Sequence, residues 1–135
     1  MELDFSGFDP SLALDAVLDW DERHITTRSA PGLPPYLALE AVAQTCGLHL
    51  RRRHGFRIQA CLVSLTDLSH SPGLGDAALT IRATLLAETR AGASYAVDVA
   101  DGPSCRVLMG LTATENPDNL FRERFERLCT PSLNA

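Results

Sequence analysis

Apolar and polar positions change their period along the chain, and the changes mark its elements. From 36 to 53, YLALEAVAQTCGLHLRRR, the apolar residues Tyr36, Leu37, Leu39, Ala41, Val42, Ala43, Cys46, Leu48 and Leu50 cover nearly the whole circumference of a helix. A helix that is apolar on all sides is a buried one. Pro34 or Pro35 suits its first turn, where no backbone donor is needed. Arg51, Arg52 and Arg53 suit the carbonyl end of its macrodipole, and Gly55 is the left-handed stop. Upstream, 21–29 is polar with β-branched Ile25, Thr26 and Thr27 and reads as a half-exposed strand. The prolines of 30–35 make an extended loop and bar a regular helix before Pro35. Residues 8–20 open on Asp9-Pro10, and Leu12, Leu14, Val17 and Leu18 fit neither period, which predicts a short helical turn leading into a strand.

Beyond Gly55 the chain reads as strands. Strands are predicted at 57–68 and 77–89, then at 94–100, where Tyr95, Val97 and Val99 share a face, and at 104–114. Turn signals separate them at 70–76, 90–93 and 101–103. In the tail, Leu120, Phe121, Phe125 and Leu128 are spaced for a short amphipathic helix over 117–129. A strand, a buried helix and then three or four antiparallel strands is an α+β order. It is satisfied by one antiparallel sheet wrapped around one long buried helix, a single domain over 1–135. Exposed sheet edges in a chain this small point to pairing with a second chain.

Composition narrows the function classes. The chain has 135 residues, 45% hydrophobic and 21% charged, an ordinary globular balance. Its formal net charge of -5 argues against a dedicated nucleic-acid partner. Every basic residue is Arg, which removes mechanisms built on a lysine Schiff base. The N-terminus lacks the basic and apolar regions of a secretory signal, and no apolar run is long enough to span a membrane, so the expected setting is cytoplasmic. The four cysteines, Cys46, Cys61, Cys105 and Cys129, are widely spaced in apolar surroundings and read as buried free thiols. No His or Cys pair has metal-ligand spacing, so no metal site is expected.

Glu40 is the residue whose setting demands an explanation. It stands in the apolar run Tyr36–Ala43, where a carboxylate must be desolvated, paired or functional. Desolvation would make it a usable general acid or base. Alternatively, it favours the positive N-terminal end of the helix. Gln44, four residues on, shares its face and could bond Glu40 or an incoming carbonyl. Pro35, Tyr36 and Leu37 open the helix, where unpaired N–H groups could polarise an incoming carbonyl. Among the four histidines, His49 lies nine residues past Glu40, about 13 Å along a helix and too far to pair with it. His49, His54 and His70 read as exposed or locally bonded. His24 is more suggestive, because its strand leads to the helix-entry loop. Arg51–Arg53 reads as a solvated helix end in preference to a phosphate site. The absence of G-x-S-x-G argues against a hydrolase elbow.

The stretch 32–47, GLPPYLALEAVAQTCG, resembles the β-hydroxyacyl-acyl-carrier-protein dehydratases of the hotdog superfamily. Within it, Glu40-Ala41-Val42-Ala43-Gln44 is similar to that family's E-A-M-A-Q helix signature. Leu14-Asp15-Ala16-Val17 is similar to its L-D-R-V segment. The likeness is to the divergent branch associated with aryl polyene clusters. It implies the hotdog fold and, with no cofactor of the protein's own, a 4′-phosphopantetheine thioester carried by acyl carrier protein or CoA. It also implies a two-chain site, with Glu40 as the acid and a His from the other chain. The family's His falls here at Thr26, or at Ser29 if the loop is aligned through Pro31-Gly32, and a second familiar His falls near Gly7. Three outcomes remain open. His24 substitutes; or the chain pairs with a His-bearing hotdog paralogue, which ranks first; or it is a silent acyl-binding or scaffold subunit. Hydrolysis of the thioester is the sister reaction. Glu40 and His24 are thus the candidate catalytic residues, and Pro35, Tyr36, Leu37 and Gln44 the candidate substrate contacts.

Overall fold

Patterning and structure agree on the elements. The computed structural model describes residues 13–69, 77–114 and 119–129. The elements run β1 (Leu14–Trp20), β2 (His24–Ser29), α1 (Pro35–Arg53), β3 (Ile58–Thr66), β4 (Thr80–Glu88), β5 (Gly92–Val99), β6 (Ser104–Ala113) and α2 (Asn119–Cys129). The helical turn expected within 8–12 and the turn at 70–76 lie outside the described residues. β1 explains its own ambiguous pattern: its pairing with β2 shifts register twice, between Leu14 and Ala16 and between Val17 and Asp19. Each irregularity lets neighbouring residues point to one side, so a strict alternation is lost.

The strands form one six-stranded sheet in the order β1-β2-β4-β5-β6-β3, with every pairing antiparallel. After α1 the chain crosses to the far edge, where β3 pairs only with β6, while β4 returns to lie beside β2. One face of the sheet packs on α1. Ile25, Thr27 and Ser29 of β2, Tyr95, Val97 and Val99 of β5, and Cys105, Val107 and Met109 of β6 are all buried. The alternate residues of these strands point away from α1, as a period of two requires.

The ends of α1 are built from sequence-local chemistry. Its C-terminus closes with the Gly55 N–H on Arg52 O and the Phe56 N–H on Arg51 O, with Gly55 at φ 63°. This is the two-bond left-handed cap that Gly makes cheaply. The arginines there are not solvated as expected. Arg51 lies over the Phe121 ring at 3.7 Å, Arg52 lies over Trp20 at 4.4 Å, and Arg53 pairs with Glu22 and Glu88. Their long stems cover apolar surface while the charged ends find partners. The thiols are free, but only Cys46 and Cys105 are buried; Cys129 is half-buried and Cys61 is exposed on the edge strand.

The hairpin between β4 and β5 holds a steric requirement. A Cβ on Gly92 would collide with the carbonyl oxygen of Met109 on the neighbouring strand. Backbone cannot move aside without breaking the β5–β6 ladder. Gly92→Ala is therefore expected to cost about 1–3 kcal/mol of stability, read as a lower urea midpoint. An unchanged midpoint would show that the two strands part more easily than their register implies.

Candidate functional site

One cavity accompanies Glu40. It has a volume of about 530 Å³ and lies between α1, β3, β6 and α2. Glu40, Ala43, Gln44, Gly47 and Arg51 form its α1 wall. Their spacing of three, four, seven and eleven residues from Glu40 puts them on one stripe of the helix. Ala60–Leu62 of β3 and Met109 of β6 supply the sheet side, and Leu120, Phe121 and Arg124 of α2 supply the third wall.

The side chain of Glu40 is exposed. The expected desolvation is therefore corrected in this chain. The sheet covers only one side of α1, and Tyr36 and Glu40 lie on the side it leaves open. The predicted pairing with Gln44 is present: Gln44 Nε2 donates to Glu40 Oε1 at 3.0 Å. Gln44 Oε1 in turn accepts from Arg124 Nη2 at 2.7 Å. The guanidinium can only donate, so it fixes which end of the amide faces Glu40. A residue of α2, far along the chain, thus orients the carboxylate through one intermediary.

The other candidate contacts are dispersed. Leu37 is in the hydrophobic core, Pro35 is half-buried and Tyr36 is 61% exposed; none of the three lines the cavity. The proposed carbonyl-polarising N–H groups are partly used up. Leu37 and Ala38 both donate to Pro34 O at 3.0 Å, and Pro35 has no N–H to give.

No described histidine joins Glu40. His24 alternates with Ile25 and Thr27, which face α1, so it lies on the opposite side of the sheet. There its Nε2 meets Asp19 Oδ1 at 2.8 Å and its Nδ1 meets Asp21 Oδ1 at 2.8 Å. Both ring nitrogens are occupied, and the structure does not bring His24 to Glu40 within one chain. Thr26, on the same side, has a buried hydroxyl without a hydrogen-bond partner in the described structure. Ser29 faces α1, donating to Ala30 O and accepting from the Leu79 N–H. His54 contacts Glu88 at 3.3 Å. His70 lies outside the described residues.

His49 reverses its expected exposure. It is 1% exposed, beneath α1. Its Nε2 lies 2.9 Å from Asp21 O and its Nδ1 lies 2.8 Å from the Tyr95 hydroxyl. A carbonyl can only accept, so Nε2 carries the proton and Nδ1 accepts from Tyr95. Burial lowers its pKa below the ordinary imidazole value, and the nearby Arg53 adds to this, against an upward pull from the bond to Asp21 O. This histidine locks the helix to the β1–β2 turn and the sheet. A second buried pair nearby does similar work: Thr45 donates to Ala41 O, which leaves Thr27 to donate to Thr45 Oγ1 at 2.8 Å.

Sequence reasoning missed Phe121, Arg124 and Arg51 as parts of this site. Helical spacing in 117–129 was the available signal. It predicts an apolar face on α2 without saying what that face covers. Among the described residues, no three His, Cys, Asp or Glu side chains converge to hold a metal ion. No described helix is long and apolar enough to cross a membrane.

No family model matches the sequence, and no curated protein matches it. Solved structures do. A thioesterase from Haemophilus influenzae superposes with a TM-score of 0.63 at 12% identity, covering 78% of this chain and 82% of that one. The dehydratase heterocomplex ApeI:P from Xenorhabdus doucetiae gives 0.59 at 15% identity over 84% of this chain and 90% of the other. A hypothetical thioesterase from Streptococcus pneumoniae, solved with coenzyme A, gives 0.57 at 13% identity over 74% and 87%. At such identities the likeness is one of fold. The chain has the hotdog fold, α+β, as the order of its elements implied.

Proposed function

We propose that this chain is the acid-bearing subunit of a two-chain 3-hydroxyacyl-thioester dehydratase. A second hotdog chain would supply the histidine. The observation that carries this reading is the position of Glu40. An oriented carboxyl stands at an apolar cavity, and each described histidine is engaged elsewhere. The dehydratase heterocomplex among the structures of like fold supports it.

Dehydration needs two proton transfers on one substrate. A base takes the α-proton from C2 of the 3-hydroxyacyl thioester, and the electron pair forms the C2–C3 double bond. The C3–O bond breaks as the Glu40 carboxyl protonates the departing hydroxyl, which leaves as water. The product is a 2-enoyl thioester. In this reading Glu40 is the acid, holding its proton once the second chain covers the open side of α1 and takes the carboxyl out of water, with Gln44 at Oε1 and Arg124 on Gln44. The base is the role left for the partner's imidazole.

Hydrolysis is the second reading, favoured by the exposure of Glu40 and by the thioesterases of like fold. A water-accessible carboxylate can take a proton from an attacking water, releasing free acid and thiol. One experiment separates the two. A 3-hydroxyacyl pantetheine thioester is incubated with the chain alone and with a His-bearing hotdog chain that co-purifies with it. Enoyl thioester formed only by the pair is the expected result. Free acid and thiol would replace dehydration with hydrolysis. No conversion by the pair beyond that of the partner alone would leave a binding or scaffold subunit, and would overturn both enzymatic readings.

A further inference from the structure

We propose that a second cavity, on the other side of α2 from Glu40, is a binding site for a phosphate monoester carried on a flat, apolar body. Arg52 and Arg122 take the phosphate, and the rings of Trp20, Phe56 and Phe125 take its body. The site shares no lining residue with the cavity beside Glu40. It does not depend on the proposed function.

The placement follows from helix spacing. On α2, Phe125 and Glu126 stand three and four residues past Arg122 and form one stripe with it. Leu120, Phe121 and Arg124 form the stripe on the opposite side, against the Glu40 cavity. The second cavity lies where the first stripe meets the ends of α1 and β1. Its volume is about 400 Å³, the size of a small-ligand site. Its apolar wall is made of ring contacts. Phe125 meets Trp20 at 5.6 Å and 79°, and Phe56 at 6.0 Å and 65°, both edge to face. This is a favoured geometry for aromatic pairs, and it sets three rings side by side in one wall.

The charge pattern picks the ligand. Three arginines end α1, and two of them spend donors on the protein: Arg51 on Ala60 O, and Arg53 on Glu22 and Glu88. Arg52 lies 4.4 Å from the centre of the Trp20 ring, and among the described residues no acceptor meets its N–H groups. Arg122 lies 5.3 Å from the centre of the Phe56 ring and gives one donor to Gly55 O at 3.0 Å. Contact with a ring face uses none of a guanidinium's N–H donors. Two positive groups on this cavity therefore face one carboxylate, Glu126. Cys129 adds no negative charge, because burial pushes its thiol pKa up. The carbonyls of Arg51 and Arg52, at the negative end of the helix, already accept from Phe56 and Gly55. A chain of net charge -5 thus carries a local excess of positive charge here.

A carboxylate offers two oxygens, which one guanidinium fork fills. A phosphate monoester offers three and can accept from both arginines at once. The rings beside them favour a phosphate attached to an aromatic or other flat apolar group, since burying that group adds to binding.

Trp20 is the chain's single tryptophan, so its fluorescence reports on this cavity. The test titrates the full chain with phenyl phosphate, followed by Trp20 fluorescence and by calorimetry. Saturable binding with a midpoint below about 1 mM is expected. Benzoate, phenol and inorganic phosphate each lack one part of the match and should bind at least about tenfold more weakly. Arg122→Gln, at an exposed position, should keep the fold and weaken phenyl phosphate at least about tenfold, the scale of losing hydrogen bonds to a charged group. Arg52→Gln should do the same. If it fails to fold, Arg52→Lys, which keeps the charge and loses the fork, reads the same loss at smaller size. Glu126→Gln should tighten binding by removing the opposing charge. Arg82→Gln, exposed on the face of the sheet away from α1, should leave binding unchanged. No saturation by about 10 mM overturns the proposal. So does any one of the three partial ligands matching phenyl phosphate, or binding that the arginine variants leave in place. A loss on Arg82→Gln as large as on Arg122→Gln would overturn it too, because general charge rather than this cavity would then hold the anion.

Discussion

Glu40→Gln is expected to leave the chain folded and to lower enoyl-thioester formation by the assembled pair by at least about a hundredfold, the usual scale for removing one general acid. Gln fills the same volume and can still meet Gln44 after an amide rotation, so the exposed side chain of α1 keeps its packing. It cannot protonate a leaving hydroxyl. Unfolding midpoints and circular dichroism of the variant check the first half, and initial rates on a 3-hydroxyacyl thioester check the second. The loss should fall on kcat more than on KM, because the proton is needed only as the C–O bond breaks. Undiminished turnover would remove Glu40 from the mechanism.

The largest effect on stability is expected at His49. Removing this buried ring leaves a void beneath α1 and strips partners from the Tyr95 hydroxyl and Asp21 O. His49→Ala should cost about 3–5 kcal/mol, the combined scale of a core truncation and a stranded polar group. That is a large share of a typical domain's stability. Adding Tyr95→Phe removes the stranded hydroxyl and should recover part of the loss, which a double-mutant cycle reads directly.

The same residue makes a pH prediction with a definite sign. In the folded chain burial lowers the pKa of His49 from its ordinary 6.5. Above that value the imidazole is neutral in both states and contributes no slope. As pH falls below it, the unfolded chain takes up a proton that the folded chain refuses, so stability declines with acid until the lowered folded value is passed. Urea midpoints measured downward from neutral pH should fall in the wild type. The His49→Ala chain should lack the part of that slope due to this ring. An identical slope in both would assign the acid sensitivity to other groups.

Much of this protein is written in short-range pattern. Tyr95, Val97 and Val99 alternate in sequence and all face α1 in the structure, because successive strand side chains point to opposite faces. Gly55 reads as a helix stop and closes α1 with left-handed geometry. The pairing of Gln44 with Glu40 follows from helix spacing alone, and their bond is present. Where the pattern was ambiguous, as in β1, the ladder carries two register shifts.

The misreadings share one cause. Glu40 stands among apolar neighbours in sequence, yet the sheet packs on only one side of α1 and leaves it exposed. His49 follows Leu48 and precedes three arginines, yet it points under the helix to Tyr95, 46 residues away. His24 lies on the strand nearest the helix entry, yet alternation turns it to the far side of the sheet, between Asp19 and Asp21. A residue's neighbours in sequence say which element it joins. They do not say which surface that element meets.

From the chain alone came the α+β order, the position and ends of α1, the amphipathic tail helix and the acid with its amide neighbour. Each depends on interactions within a few residues, where backbone geometry fixes what can touch. Only the assembled structure decided that β3 crosses to the far edge beside β6, that α2 covers α1 there, and that Arg124 reaches Gln44 from 80 residues away. Those contacts form only when distant segments bury their apolar faces together, and local periodicity holds no record of which face finds which partner.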